Sequence, residues 1–317
     1  MRVKVVSLWL CLLALCCACK GRQSLMPTSG GRPYEVLVVS GNPVAANIVA
    51  SALKELEMAG LPQPEPLFDV SVLMDEELSQ ATRYARNIVM VSTGIDSLSR
   101  PLITYERNVY AQPQLVLHVK AATASQLQAY ILYNVRAMAR QLVLQELNNG
   151  IARLRENHGQ RSGKLVQSMF GVRLWVPEDL TRWKCGEDFL WLSNDAAQGM
   201  QNICIYRYAG TNLSQAEAIE KRDSVMRVNM KGEAEDTYMT TTAASMKRLS
   251  LRGKSLLELR GLWEMHADAM GGPFVSLLTP KGDSTLVAEA FIYAPGMKKR
   301  NLMRRLEACL NTLKTEH

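Results

Sequence analysis

"YEVLVVSGNPVAANIVASALKELEMAG" (34–60) decides how the chain begins to fold. YEVLVVSG is a short apolar run, rich in β-branched residues and closed by Gly41, the pattern of a buried strand. Asn42 then stands where a helix N-cap belongs, Pro43 at the first helical position and Gly60 as the stop. A strand followed at once by a helix opens an α/β unit, and the rhythm continues downstream. "LPQPEP" (61–66) is an extended connector, "FDVSVLM" (68–74) a strand, 75–86 a helix and "NIVMVST" (87–93) a strand. "ITYERNVYA" and "QLVLHVK" add two strands around a Gln112–Pro113 turn. The longest helix is expected from about Ala124 to Asn157. Leu127, Ile131, Val135, Met138 and Leu142 keep a three/four spacing there, continued one position over by Val143, Leu147, Ile151 and Leu154.

The polar stretch "NHGQRSGK" (157–164) marks a lobe boundary. Beyond it "FGVRLWVP" (170–177) predicts a strand, and "DFLWLSND" with "NICIYRY" predicts a hairpin. Residues 214–230 predict a helix with Ser214 and Glu217 in capping-box spacing. From 257 to 268 Leu257, Leu259, Trp263, Met265 and Ala267 alternate with Glu258, Arg260, Glu264, His266 and Asp268. That is a strand with a core face and a wet face. "PFVSLLTP", "KGDS" and "TLVAEAFIYAP" make a further hairpin. A terminal helix, about Met297 to Lys314, lines up Leu302, Leu306, Cys309, Leu310 and Leu313, so Cys309 belongs to the core. Its Lys298, Lys299, Arg300, Arg304, Arg305 and Lys314 read as a solvated face. Strand–helix alternation first and a meander later predict a two-lobed α+β protein, with mixed and antiparallel sheets, packed helices and a long central helix. The lobes are expected at 34–160 (α/β) and 165–317 (α+β with the meander and the terminal helix).

The amino terminus carries a different message. Arg2 and Lys4 precede an apolar run from Val5 to Ala18, shorter than the ~20 residues of a spanning helix and of the size of a secretory signal core. Cys19 follows Ala18, as the acylated cysteine of a lipoprotein follows a small residue; Cys16, three residues upstream, stands where Leu is usual. An uncleaved anchor or an ordinary secretory signal is the alternative. The expectation is a signal peptide at 1–18, a lipidated Cys19 and a flexible tether over 19–33. The 14 residues "KGRQSLMPTSGGRP" would reach up to ~45–50 Å at ~3.3–3.6 Å per residue.

Composition fits a folded domain: 47% hydrophobic and 21% charged. Residues 1–18 hold two of the positive charges, so the remainder keeps a formal +5 of the chain's +7. That suits an anionic membrane surface and falls short of a nucleic-acid footprint. Beyond Cys19 lie Cys185, Cys204 and Cys309. A Cys185–Cys204 bridge and three reduced thiols are both open.

The segment "RGLWEMHADAMGGPFVS" (260–276) is the most distinctive. Two carboxylates and an imidazole at spacing two, Glu264, His266 and Asp268, are candidates for metal-dependent or acid–base chemistry, although any solvent-facing strand alternates in this way. Gly271 and Gly272 permit close backbone approach, and with Trp263 and Met270 they outline a candidate binding cleft. Cys185, flanked by Arg182 and Lys184, is a candidate nucleophile. No nucleotide, flavin or zinc motif occurs, so no cofactor and no metal are expected.

The blocks "ACKGRQSLMPTSGGRPYEVLVV", "LPQPEPLFDVS", "RNIVMV", "YAQPQLVL", "DFLWLSN", "RGLWEMHADAMGGPFVS" and "FIYAP...KKRNLMRRLEACLNTLK" resemble a family of uncharacterised lipoproteins from Bacteroidetes-type bacteria, classed as a domain of unknown function. The resemblance implies a lipidated Cys19 and an envelope location, and brings no activity. Surface-exported lipoproteins of such bacteria tend to carry acidic residues after the cysteine. Here Lys20 and Arg22 follow, which points to the periplasmic face of the outer membrane. The expectation is a membrane-anchored binding or assembly module with an envelope protein partner and no nucleic acid. The alternative is an envelope hydrolase or metal-dependent enzyme built on Glu264, His266 and Asp268.

Overall fold

The computed structural model describes residues 26–211, 213–234, 236–251 and 254–315. The expected signal segment, Cys19 and the first part of the expected tether lie outside them.

The first lobe is a five-stranded sheet in the order β2-β1-β3-β5-β4, made of β1 (Glu35–Val39), β2 (Asp69–Leu73), β3 (Asn87–Ser92), β4 (Leu102–Arg107) and β5 (Leu115–Lys120). The first four in that order run parallel, and β4 closes one edge antiparallel. Between β1 and β2 runs α1 (Pro43–Lys54), where the Asn42 side chain accepts hydrogen bonds from the amides of Val44 and Ala45. Ala45, Ala46, Val49, Ala50 and Leu53 turn inward, and the small residues let α1 lie close to the sheet. The long helix, α2 (Ala124–Glu156), lays its stripe from Leu127 to Leu142 on the same face. Two expectations change here. Residues 75–86 form two short 3-10 turns, Asp75–Glu77 and Thr82–Tyr84, and the Ser79 hydroxyl accepts from the Thr82 amide, which a continuous helix would have bonded to the Leu78 carbonyl. Residues 27–30, expected within the tether, are tied down instead. Gly30 donates to the Tyr84 carbonyl, Ser29 to that of Gln112, and the Gln112 amide donates to the Pro27 carbonyl.

The second lobe is a seven-stranded antiparallel sheet, β10-β11-β12-β13-β9-β8-β7. Its strands are β7 (Arg182–Gly186), β8 (Phe189–Ser193), β9 (Met200–Ala209), β10 (Met239–Leu251), β11 (Lys254–Met265), β12 (Gly271–Lys281) and β13 (Ser284–Tyr293). One face is covered by α3 (Gln160–Phe170) and α5 (Arg300–Leu310), the other by α4 (Gln215–Asn229). Helix α3 starts inside the stretch expected as a polar boundary. Ser162, Val166 and Phe170 are its buried stripe, and Gly171 ends it at φ +61°. In "FGVRLWVP" only β6 (Val172–Arg173) is paired, with β14 (Lys314–Thr315). The alternation there is real, with Val172, Leu174 and Val176 buried, but it reflects a core to face and not a ladder to join. The outer-face helix drives Arg222 into the sheet, 1% exposed, where its guanidinium bonds Glu289 (2.8 and 3.1 Å) and lies 3.9 Å over the Phe274 ring. Glu289 also accepts from the Tyr206 hydroxyl (2.9 Å) and the Ser276 hydroxyl (2.7 Å).

The lobes share a seam. Glu65, from the connector "LPQPEP", accepts hydrogen bonds from the amides of Lys299 (2.6 Å) and Arg300 (3.0 Å), capping α5 from the other lobe. The Arg300 guanidinium reaches Asp69 (2.6 Å) and the Pro66 carbonyl (2.8 Å). A Cβ on Gly150 of α2 would fall 2.8 Å from the Ala308 Cβ of α5, so that glycine allows the helices to touch. The cationic face expected of the terminal helix is therefore largely paired: Arg300 with Asp69, Arg304 with Glu307 and Arg305 with Asp179. Two residues of the expected wet face of β11, Glu258 and Arg260, are covered for the same reason. Arg260 bridges Glu258 and Glu307 beneath α5.

Candidate functional site

The residues singled out from 260–276 are dispersed. Strand β11 ends at Met265, so Glu264 is on the strand, whereas His266 and Asp268 lie in the turn that follows, where Ala267 takes φ 59°. The alternation of types continues past the point where the backbone reverses. All three side chains are exposed, and the His266 ring stacks on Tyr238 at 5.0 Å. Among the described residues no group of three His, Cys, Asp or Glu side chains is placed to hold a metal ion. Trp263 is buried edge-on to Phe291 (5.4 Å), and Met270 packs on the same cluster. A Cβ on Gly272 would lie 2.0 Å from the Ile292 carbonyl oxygen, and one on Gly271 2.9 Å from that of Trp263. These glycines serve strand packing and do not outline a cleft. Cys185 is exposed on edge strand β7; β8 lies between it and the strand of buried Cys204, and both are free. Two strand spacings, ~9–10 Å, are too far for a bridge. Burial pushes the Cys204 and Cys309 thiols up, away from thiolate chemistry.

A concavity of about 720 Å³ lies at the seam, a size that suits a small-molecule ligand. It exists because α2, ~50 Å long at 1.5 Å per residue, overruns the first sheet. Its last turns meet α5 and the loop at Pro177–Asp179, with Pro33 and Tyr34 closing the first-lobe side. Behind the cleft wall Glu146 is buried, its side chain 0% exposed. Its Oε1 accepts from the Asn87 amide (2.8 Å) and lies 3.1 Å from Arg86 Nε, while Oε2 has no hydrogen-bond partner. Tyr34, a non-glycine residue at φ 66°, is buried with the Arg304 guanidinium 5.5 Å from its ring centroid. Burial holds its hydroxyl well above the usual phenol range, and among the described residues that hydroxyl has no hydrogen-bond partner. Arg304 bonds Glu307 through Nη1 (2.8 Å), but its buried Nε is unpartnered. Burial would raise the Glu307 carboxyl, yet Arg304 and Arg260 hold it below the usual carboxylate range. At the mouth Arg153 makes no hydrogen bond or ion pair with its guanidinium among the described residues. Burial, with Arg86 nearby, lowers its pKa. Glu156 and Glu178 complete the acidic part of the rim.

A second hollow, about 570 Å³, lies at the carboxyl ends of β1 and β3, where the strand order switches direction and the N-termini of α1 and α2 meet. Two of its polar side chains are engaged. Asn42 caps α1 and donates to Thr93 Oγ1 (3.1 Å), and Thr123 accepts from the Gln126 amide (3.2 Å). The seam cleft is the larger of the two and draws its lining from both lobes. No short-range sequence pattern marks that site, because its residues come from positions 33–34, 146–157, 177–179 and 301–308.

The protein is thus a two-lobed α+β molecule with a polar cleft between its lobes. Residues 160–312 match the family model described as Domain of unknown function (DUF4837), and residues 29–155 that described as Domain of unknown function (DUF8532). Together they span most of the chain and meet where α2 ends and α3 begins. A crystal structure of a protein from Bacteroides thetaiotaomicron VPI-5482 is similar at 15% identity and a TM-score of 0.22, over 46% of this chain. The chain spans 45% of that neighbour's length. No curated protein matches.

Proposed function

We propose that this chain is a lipid-anchored protein of the periplasmic envelope that works as a binding module, its ligand held in the seam cleft. The observation that supports the binding reading is the cleft itself, a hollow of about 720 Å³ at the seam, lined by polar side chains from both lobes, Tyr34, Arg153, Glu156 and Arg304 among them. The anchor rests on the segment up to Ala18 and Cys19. With residues 27–30 tied to the first lobe, the segment from Cys19 to Met26 can span at most ~25 Å, so the body would ride close to the bilayer.

Two measurements test this. Mass spectrometry of the native protein from membranes should find a diacylglyceryl-modified Cys19 as the first residue; an unacylated start elsewhere refutes the anchor. Native mass spectrometry of gently purified protein should show a small molecule retained in the cleft. Retention should fall in Glu156→Trp, which blocks the mouth from an exposed helical position. Equal retention in both proteins, or none in either, refutes the binding site.

A further inference from the structure

Resting on the anchor reading, we infer that the tip of the β4–β5 hairpin, with Arg83 beside it, docks on the membrane, and that its partner is an anionic phospholipid leaflet. A body of about 290 residues is ~50 Å across. That is about twice the ~25 Å that Cys19 to Met26 can span, so the bilayer must lie on the side where Met26 leaves the body. The hydrogen bonds of residues 27–30 fix that side. The Gln112 amide donates to the Pro27 carbonyl, Ser29 donates to the Gln112 carbonyl, and Gly30 to that of Tyr84. Met26, 39% exposed, therefore stands beside the hairpin turn that carries Gln112 and close to the segment that carries Arg83. Two arginine–tyrosine pairs flank this point. The Arg83 guanidinium lies 5.2 Å from the Tyr110 ring centroid, and that of Arg107 lies 5.8 Å from the Tyr105 centroid. Both arginines are exposed, and neither makes an ion pair among the described residues. Tyr105 is 52% exposed on β4, which is an edge of its sheet. Alternation sends Glu106, the acidic residue of β4, to the opposite face from Tyr105 and Arg107, where it lies 3.3 Å from His118. Tyrosine rings and guanidinium groups suit the headgroup layer, the ring being amphipathic and the guanidinium a partner for phosphate. Two arginines at an anionic surface favour contact roughly thirtyfold. The anchor makes that contact intramolecular, so a preference of this size is enough to keep the face down.

Hydrogen–deuterium exchange tests this on the protein purified from membranes and reconstituted into vesicles of phosphatidylglycerol or of phosphatidylcholine. On phosphatidylglycerol the amides around Arg83 and over 102–113 should exchange more slowly than on phosphatidylcholine, by up to about thirtyfold. Strand β10, the edge of the second sheet, should exchange alike on both. Arg83→Gln with Arg107→Gln, at exposed side chains outside any ion pair, keeps the fold. It should return exchange on phosphatidylglycerol to the phosphatidylcholine rate while the protein still floats with the vesicles. Protein that floats with both vesicles but exchanges alike on them overturns the inference and leaves the anchor standing. Protection confined to another face, or protection that survives the double substitution, does the same. Protein that floats with neither vesicle refutes the anchor, and the docking with it.

Discussion

Arg222 and Glu289 are among the most deeply buried charges of the molecule, 1% and 0% exposed, and every oxygen of Glu289 is occupied by Arg222, Tyr206 or Ser276. A pair so enclosed contributes little against an apolar equivalent, but each half without the other is an uncompensated buried charge. Arg222→Met alone and Glu289→Leu alone should each lower stability by about 3–5 kcal/mol in urea unfolding, and the double substitution should recover much of that loss. Additive losses would mean the charges do not depend on each other. At this scale the sequence is partly legible. Gly271-Gly272 announces close backbone approach, and the structure supplies the carbonyls approached, Trp263 and Ile292. Arg222 is not legible: in "SQAEAIEKRDSVMRVNM" it is one charge among several, and only the packing of α4 on the sheet singles it out.

Helix α5 shows how an element can be read correctly and still be misjudged in its surroundings. Its apolar stripe predicts its inner face, and Leu306, Cys309 and Leu310 are buried as expected. Lys299 and Arg300 are buried and not solvated, because the other lobe brings Glu65 and Asp69 to the start of the helix, whereas Lys298, Arg305 and Lys314 stay exposed. Glu307 is held below its ordinary value of 4.5 by Arg304 and Arg260. Its stabilising contribution is therefore complete above that pH and is lost as pH falls through the lower folded-state value. Asp69 behaves likewise: burial opposes ionisation, and Arg300 overcomes it. Urea midpoints should therefore drop steadily below about pH 4.5, and Glu307→Gln should make that drop shallower than in the wild type. An equal slope in both would remove Glu307 from the seam's energetics. Strand β10, by contrast, is an element the sequence hides. "MTTTAASMKRLSL" has no clean alternation, and a register shift between Thr241 and Ala243 breaks its pairing with β11.

As a whole the molecule has two sheets and one seam, and α2 belongs to both lobes: its first half seals the first sheet and its last turns touch α5. Two lobes tied by a shared helix, a helix cap from across the boundary and buried ion pairs should unfold together. Trp175, Trp183, Trp191 and Trp263 all report on the second lobe, whereas far-ultraviolet circular dichroism senses both. The two urea curves should coincide, and separated curves would show that the seam does not couple the lobes. Family models that divide the chain between 155 and 160 describe sequence units; cooperativity is a separate property that this measurement reads.

The amino-acid sequence by itself determined part of the local order: β1 with α1, the long helix α2, the β12–β13 hairpin, the capped start of α4, the two-lobed α+β class and the apolar stripes of α2 and α5. These follow from periodicity and capping, which act over a few neighbouring residues. Only the tertiary structure decided where the chemistry converges. It leaves Glu264, His266 and Asp268 exposed at the end of β11 and sets Tyr34, Arg153 and Arg304, spread over 271 positions of chain, around one cleft. The reason is that a cleft between lobes is defined by everything packed around it, and no short window of sequence contains those neighbours.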